Sequence, residues 1–165
     1  YREDDEPVGP LNFYGESKLA GERAIKEVGG KYYLIRTSWL FGLHGKNFVD
    51  SMIKLSQGKN ELRVVNDQHG KPTFAFDLAK KTRELLEGDY DSGTYHIVNE
   101  PETTWYDFAC KIIDNRGLTC VVNPCTSAEF PRPTKRPEYS TLVNTKLPPL
   151  RQWQEALGEY LRERN

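Results

Sequence analysis

Along this chain, short unbroken apolar runs take turns with stripes of apolar residues spaced three and four apart. That alternation predicts strands interleaved with helices. The first stripe follows Asn12, a good N-cap, and ends at Gly29 and Gly30, so a helix is expected between them. "YYLIRTSWLFG" (32–42) is a continuous apolar and β-branched run closed by glycine. It predicts a central parallel strand buried on both faces. Phe48, Met52 and Leu55 mark one face of a helix over 47–58, and "ELRVV" (61–65) reads as a short strand. "NDQHGKPT" (66–73) is rich in turn formers and predicts a loop. Asp77 is expected to cap a helix over 78–87 that stops at Gly88, and "GTYHIVN" (93–99) to form a strand. Trp105, Phe108, Ala109, Ile112 and Ile113 follow helical spacing up to Gly117, and Trp153, Ala156, Leu157, Tyr160 and Leu161 repeat it. Such periodicity makes these aromatics core anchors. "FPRPTKRPEYSTLV" (130–143) predicts an irregular loop leading into a strand, and the acidic opening "YREDDEPVGP" another loop. The order of elements implies an α/β layered fold without a linker long enough to divide it.

Composition narrows the function classes. At 165 residues the chain suits one domain, yet only 37% is hydrophobic and 28% charged. Seven Phe, nine Tyr and three Trp spread along its length argue against disorder, and the polar balance would suit a domain that leans on a further structure. A net charge of -1 without a basic block gives no expectation of a nucleic-acid partner. No apolar run reaches membrane-span length and no signal peptide is recognised, so a cytoplasmic location is expected. Cys110, Cys120 and Cys125 lack Cys-x-x-Cys spacing and are expected as reduced thiols, and the scattered His44, His69 and His96 suggest no metal site.

Candidate chemistry begins at "NFYGESKLAGE" (12–22), where Tyr14 and Lys18 stand one helical turn apart and share a face. Tyr-x-x-x-Lys alone is common, and a surface pair is the alternative. As a site, it would pair a proton donor with a cation that stabilises the phenolate left behind.

Six ordered motifs, "YGESKLAGE", "RTSWLFG", "GKNFV", "DQHGKPT", "GTYHIVN" and "RPEYSTL", followed by a Trp-led helix, resemble the C-terminal half of dTDP-4-dehydrorhamnose reductases. These are extended short-chain dehydrogenase/reductases, and the resemblance covers essentially all 165 residues. It implies the C-terminal part of a Rossmann-like NAD(P)-binding fold plus a small α/β substrate-binding region. Residues 1–45 would close the Rossmann-like part and 46–165 would mainly bind substrate, together one truncated domain unit (1–165). The family's glycine-rich loop has no match here, the nearest being Gly42-x-x-Gly45, and residues 1–13 hold no Ser or Thr to serve as its upstream catalytic hydroxyl. The N-terminal cofactor half is therefore expected to be missing, and the chain alone to be inactive.

The resemblance further implies reduction of the 4-keto group of dTDP-4-dehydro-6-deoxy-L-mannose to dTDP-L-rhamnose, with NADPH (or NADH) as hydride source. Tyr14 would donate the proton and Lys18 would also hold the nicotinamide ribose. Thr37 and Ser38 would lie at the carboxamide, and Trp39 would offer the sugar a flat face unless it is a core tryptophan. Asn47 would meet substrate or merely cap its helix. Gln68 and Thr73 resemble positions near the nucleotide end, and Arg136 suits the pyrophosphate, although a loop arginine is commonly just solvated. A dTDP-sugar is then the partner, with a homodimer left open. The regulatory subunit of methionine adenosyltransferase and the nucleotide-sugar epimerases and dehydratases share parts of this pattern and stand as alternatives.

Overall fold

Asn12 begins the first helix as its sequence predicts. In the computed structural model, which describes residues 1–7, 9–131 and 133–164, Asn12 is the N-cap of α1 (Phe13–Val28) and Gly29 closes that helix with φ 70°. Val8 and Arg132, within the two segments read as loop, and Asn165 lie outside the described residues. No residue of α1 is buried. Its Glu22 reaches back to Arg36 at 2.6 Å and ties the helix to the strand that follows.

That strand is shorter than the apolar run suggests. β1 (Tyr33–Arg36) ends before Trp39, and β2 (Leu40–Phe41) joins a different ladder. The break has a local cause: Trp39 takes a left-handed φ of 45°, which no strand accommodates. Only Leu34 of β1 is buried, so burial on both faces is not found among the described residues.

The remaining elements are α2 (Phe48–Ser56), β3 (Glu61–Val65), β4 (His69–Gly70), β5 (Thr73–Phe74), α3 (Ala75–Glu87) and β6 (Gly93–His96). They are followed by β7 (Thr103–Thr104), α4 (Trp105–Asn115), β8 (Val121–Cys125) and α5 (Trp153–Glu163). The strands form two-stranded ladders: β1 parallel to β6, β2 to β5 and β3 to β8, with β4 antiparallel to β7. The architecture is α/β.

Several expectations are corrected. The turn-rich 66–73 carries both β4 and β5. Asp77 lies inside the first turn of α3, and its buried carboxylate accepts from Arg151 and Asn99 rather than capping. In α2 the buried residues are Val49 and Met52, while Leu55 is exposed. After 130–143 no strand forms among the described residues; Tyr139 makes an isolated bridge with His69. β8 had no sequence signal because Pro124 interrupts its apolar run.

Two apolar cores result. The larger joins α2, β3, α4 and α5 through residues such as Met52, Val64, Phe108, Ile112, Leu157 and Tyr160. The smaller packs Leu85 of α3 on Tyr95 and Ile97, with Tyr33 and Ile35 of β1 beside them. A charged cluster, Asp77–Arg151–Glu159, joins α3 to α5 between the two. The three cysteines are free thiols.

Candidate active site

Helix α1 holds the Tyr–Lys pair as its spacing demands. The Lys18 ammonium lies 5.2 Å from the centre of the Tyr14 ring, and Tyr14 is 69% exposed. At 5.2 Å this is cation–π distance, so the charge faces the ring.

At the carboxyl end of β1 the chain turns through Thr37, Ser38 and Trp39. Ser38 donates to the Lys71 carbonyl at 2.8 Å, while the buried Thr37 hydroxyl has no hydrogen-bond partner. Trp39 stacks on Trp105, ring centres 3.7 Å apart and planes 11° from parallel. Gly70 lies against that indole, where a Cβ would come within 2.4 Å of Trp39. Close approach, rather than turn geometry, therefore requires a glycine here.

Below the stacked pair opens a cleft of about 990 Å³. Phe48, Met52 and Trp105 give it an apolar floor, Gln68 and Arg63 one side, and Phe130, Pro131 and the residues from Pro133 to Arg136 the other. Leu11, next to the α1 cap, completes the rim. The deeper wall is fixed by Asp67, which accepts from the Ser127 amide at 2.7 Å and its hydroxyl at 2.8 Å, while Gln68 donates to the same hydroxyl at 2.8 Å. Burial raises the Asp67 carboxyl, but the Ser127 donors outweigh it and leave it below its ordinary value.

The expected residues thus separate. Gln68 and Arg136 face the cleft, and Trp39 stands behind Trp105. Asn47 is committed to structure: it caps α2 by accepting from Asp50 and donates to the Gly42 carbonyl and the Tyr160 hydroxyl. Thr73 is fully buried, with its hydroxyl on the Lys71 carbonyl at 3.3 Å. Tyr14 and Lys18 do not line the cleft; Leu11 links it to their helix. Sequence reasoning missed Trp105, Phe48 and Lys135 as lining residues. Trp105 carries the same spacing as the core residues Phe108 and Ala109, and no periodicity could tell its half-buried ring from theirs.

Comparison with known proteins decides the family. The RmlD substrate binding domain family matches residues 1–165. The chain belongs to that family. The spore coat polysaccharide biosynthesis protein SpsK of Bacillus subtilis is 42% identical over 169 residues, covering 100% of this chain and 59% of the relative. The dTDP-4-dehydrorhamnose reductase of Streptomyces griseus is 42% identical over 96% of the chain and 56% of its own length. The dTDP-4-dehydrorhamnose reductase of Bacillus anthracis, solved in complex with NADP, superposes with a TM-score of 0.93 at 37% identity, over 99% of this chain and 59% of that one. An RmlD-family chain of this length therefore spans somewhat more than half of the relatives it matches. Its fold is the C-terminal part of the Rossmann-like extended short-chain dehydrogenase/reductase fold. No helix among the described residues is long and apolar enough to cross a membrane.

Proposed function

We propose that this chain is the substrate-binding and proton-donating portion of an NADPH-dependent reductase that converts the 4-keto group of dTDP-4-dehydro-6-deoxy-L-mannose into the alcohol of dTDP-L-rhamnose. The cleft carries the reading: an aromatic floor, a fixed glutamine and a cationic wall suit a base, a sugar and a diphosphate in one ligand. The family match and the reductase names of its relatives agree with it. Residues 1–45 would complete the Rossmann-like part and 46–165 would bind the sugar nucleotide, in a cytoplasmic protein.

In this reading Tyr14 gives its hydroxyl proton to the carbonyl oxygen as it becomes an alkoxide, and the Lys18 charge stabilises the phenolate left behind. Lys18 also holds the nicotinamide ribose. Thr37, a buried hydroxyl without a partner, fits the carboxamide of a nicotinamide, with Ser38 beside it. NADPH supplies the hydride. Trp39 backs the aromatic surface through its stack on Trp105, and Gln68 contacts the nucleotide end. Arg136 pairs with the diphosphate as a planar donor fork. Asn47 and Thr73 act through the backbone they hold, since their polar atoms are engaged within the chain.

Titration calorimetry of the 165-residue chain with dTDP tests this directly. Saturable binding is expected, weakened about 10-fold by Arg136→Ala, the low end for a hydrogen bond to a charged group. Absence of binding at millimolar dTDP would remove the nucleotide-sugar reading.

A further inference from the structure

Asn12 uses both ends of its amide. Its carbonyl oxygen caps α1 by accepting from the Gly15 amide at 2.9 Å, and its nitrogen donates to the Lys135 carbonyl at 3.0 Å, 123 residues away. The second bond falls on the exposed residues 133–138, which run without helix or strand and carry two of the cleft's cations, Lys135 and Arg136, the third being Arg63. That segment is anchored before and after. Before it Glu129 accepts from Thr126 and Arg63. At its end His69 donates its amide to the Glu138 carbonyl at 2.6 Å and stacks on Tyr139, ring centres 4.7 Å apart. The Asn12 bond holds the span between these anchors. It attaches the cationic wall to the N-terminus of the helix that bears Tyr14 in its first turn and Lys18 in its second.

We propose that Asn12 is a positioning residue that couples the seating of an anionic ligand on the 133–138 wall to the placement of the Tyr14 helix. The inference rests on the nucleotide-sugar reading for the identity of the ligand. The choice of side chain supports it. Asn, Asp and Ser cap helices about equally well, but only the carboxamide offers an acceptor to one partner and an NH donor to the other at that reach. Asp would set a carboxylate against the Lys135 carbonyl, and Ser is too short to replace the amide.

The test separates capping from bridging. In Asn12→Ser and Asn12→Asp the cap survives, so amide hydrogen exchange of α1 and the melting temperature should stay at wild-type values. Backbone order parameters at Thr134, Lys135 and Arg136 from nitrogen-15 relaxation should fall, and dTDP affinity should fall about 3–10-fold, the effect of one lost hydrogen bond. Asn12→Ala loses both bonds and should loosen α1 as well. Wild-type order parameters at 134–136 in the Ser and Asp variants would overturn the proposal, even if dTDP binds the wild type. Failure of wild-type chain to bind dTDP would overturn the nucleotide reading instead, and the difference in order parameters would still decide the bridge.

Discussion

Tyr14 and Lys18 illustrate how much chemistry two side chains can hold when a helix fixes their spacing. The ring and the ammonium face each other at 5.2 Å on an exposed surface, and neither is committed to the core. Tyr14→Phe keeps the ring and removes the proton. In a polypeptide joining this chain to the dinucleotide-binding half of a relative, the turnover rate should fall about 10²–10⁴-fold, the usual contribution of general acid catalysis. Substrate affinity should change little, because in the proposed role the hydroxyl works mainly in the transition state. Lys18→Met should weaken cofactor binding as well as slow the reaction. The two losses should not add, since both act on one proton transfer. Steady-state kinetics of the two variants and the double variant checks this, and wild-type turnover by Tyr14→Phe across the pH range would reduce the pair to a surface contact.

Among the elements, the cleft walls depend on turns more than on helices. The turn at Thr126–Glu129 is pinned by Asp67, whose carboxyl lies below its ordinary value because the Ser127 donors outweigh burial. A carboxyl with a depressed folded value stabilises the fold above its unfolded value, about 3.9, and loses that contribution as pH falls through the folded value. Asp67→Asn should therefore flatten the drop in melting temperature as pH falls from about 5 to below 3.9. An equally steep drop in the variant would show that other carboxylates carry it. How much of this was legible follows from the range of the interactions. Caps and stripes are local, so α1, α2, α4 and α5 could be read from Asn12, Asn47 and the apolar spacing. Trp39 broke the long strand with a left-handed backbone that no local pattern encodes, and its ring found a partner in Trp105, 66 positions away. Asp77 looked like a cap because its partner, Arg151, is equally remote. The facing pair on α1 was visible from its spacing, whereas the cleft was not, since its walls come from residues 11 to 138.

On the scale of the whole molecule, the chain has two cores and one side without either. α1 buries nothing, Phe13 is 82% and Val28 87% exposed, and the ladder partner of β1 among the described residues lies on one edge only. An unpaired strand edge beside exposed apolar residues favours association with another chain. The relatives are longer, this chain covering 59% of the reductase from Bacillus anthracis, and in the proposed function the remainder of such a protein would cover this surface. The 165 residues alone should self-associate with rising concentration in light scattering. They should also leave NADPH unoxidised in the presence of dTDP-4-dehydrorhamnose, since the sequence carries no glycine-rich loop to seat its pyrophosphate. Joined to a dinucleotide-binding half, the same residues should become monodisperse and gain turnover together, because in the proposed function one docking event would cover the β1 edge and bring the hydride to Tyr14. A monodisperse, thermally robust chain that reduces the substrate unaided would show that α1 and β1 need no cover and that the division of labour is drawn in the wrong place.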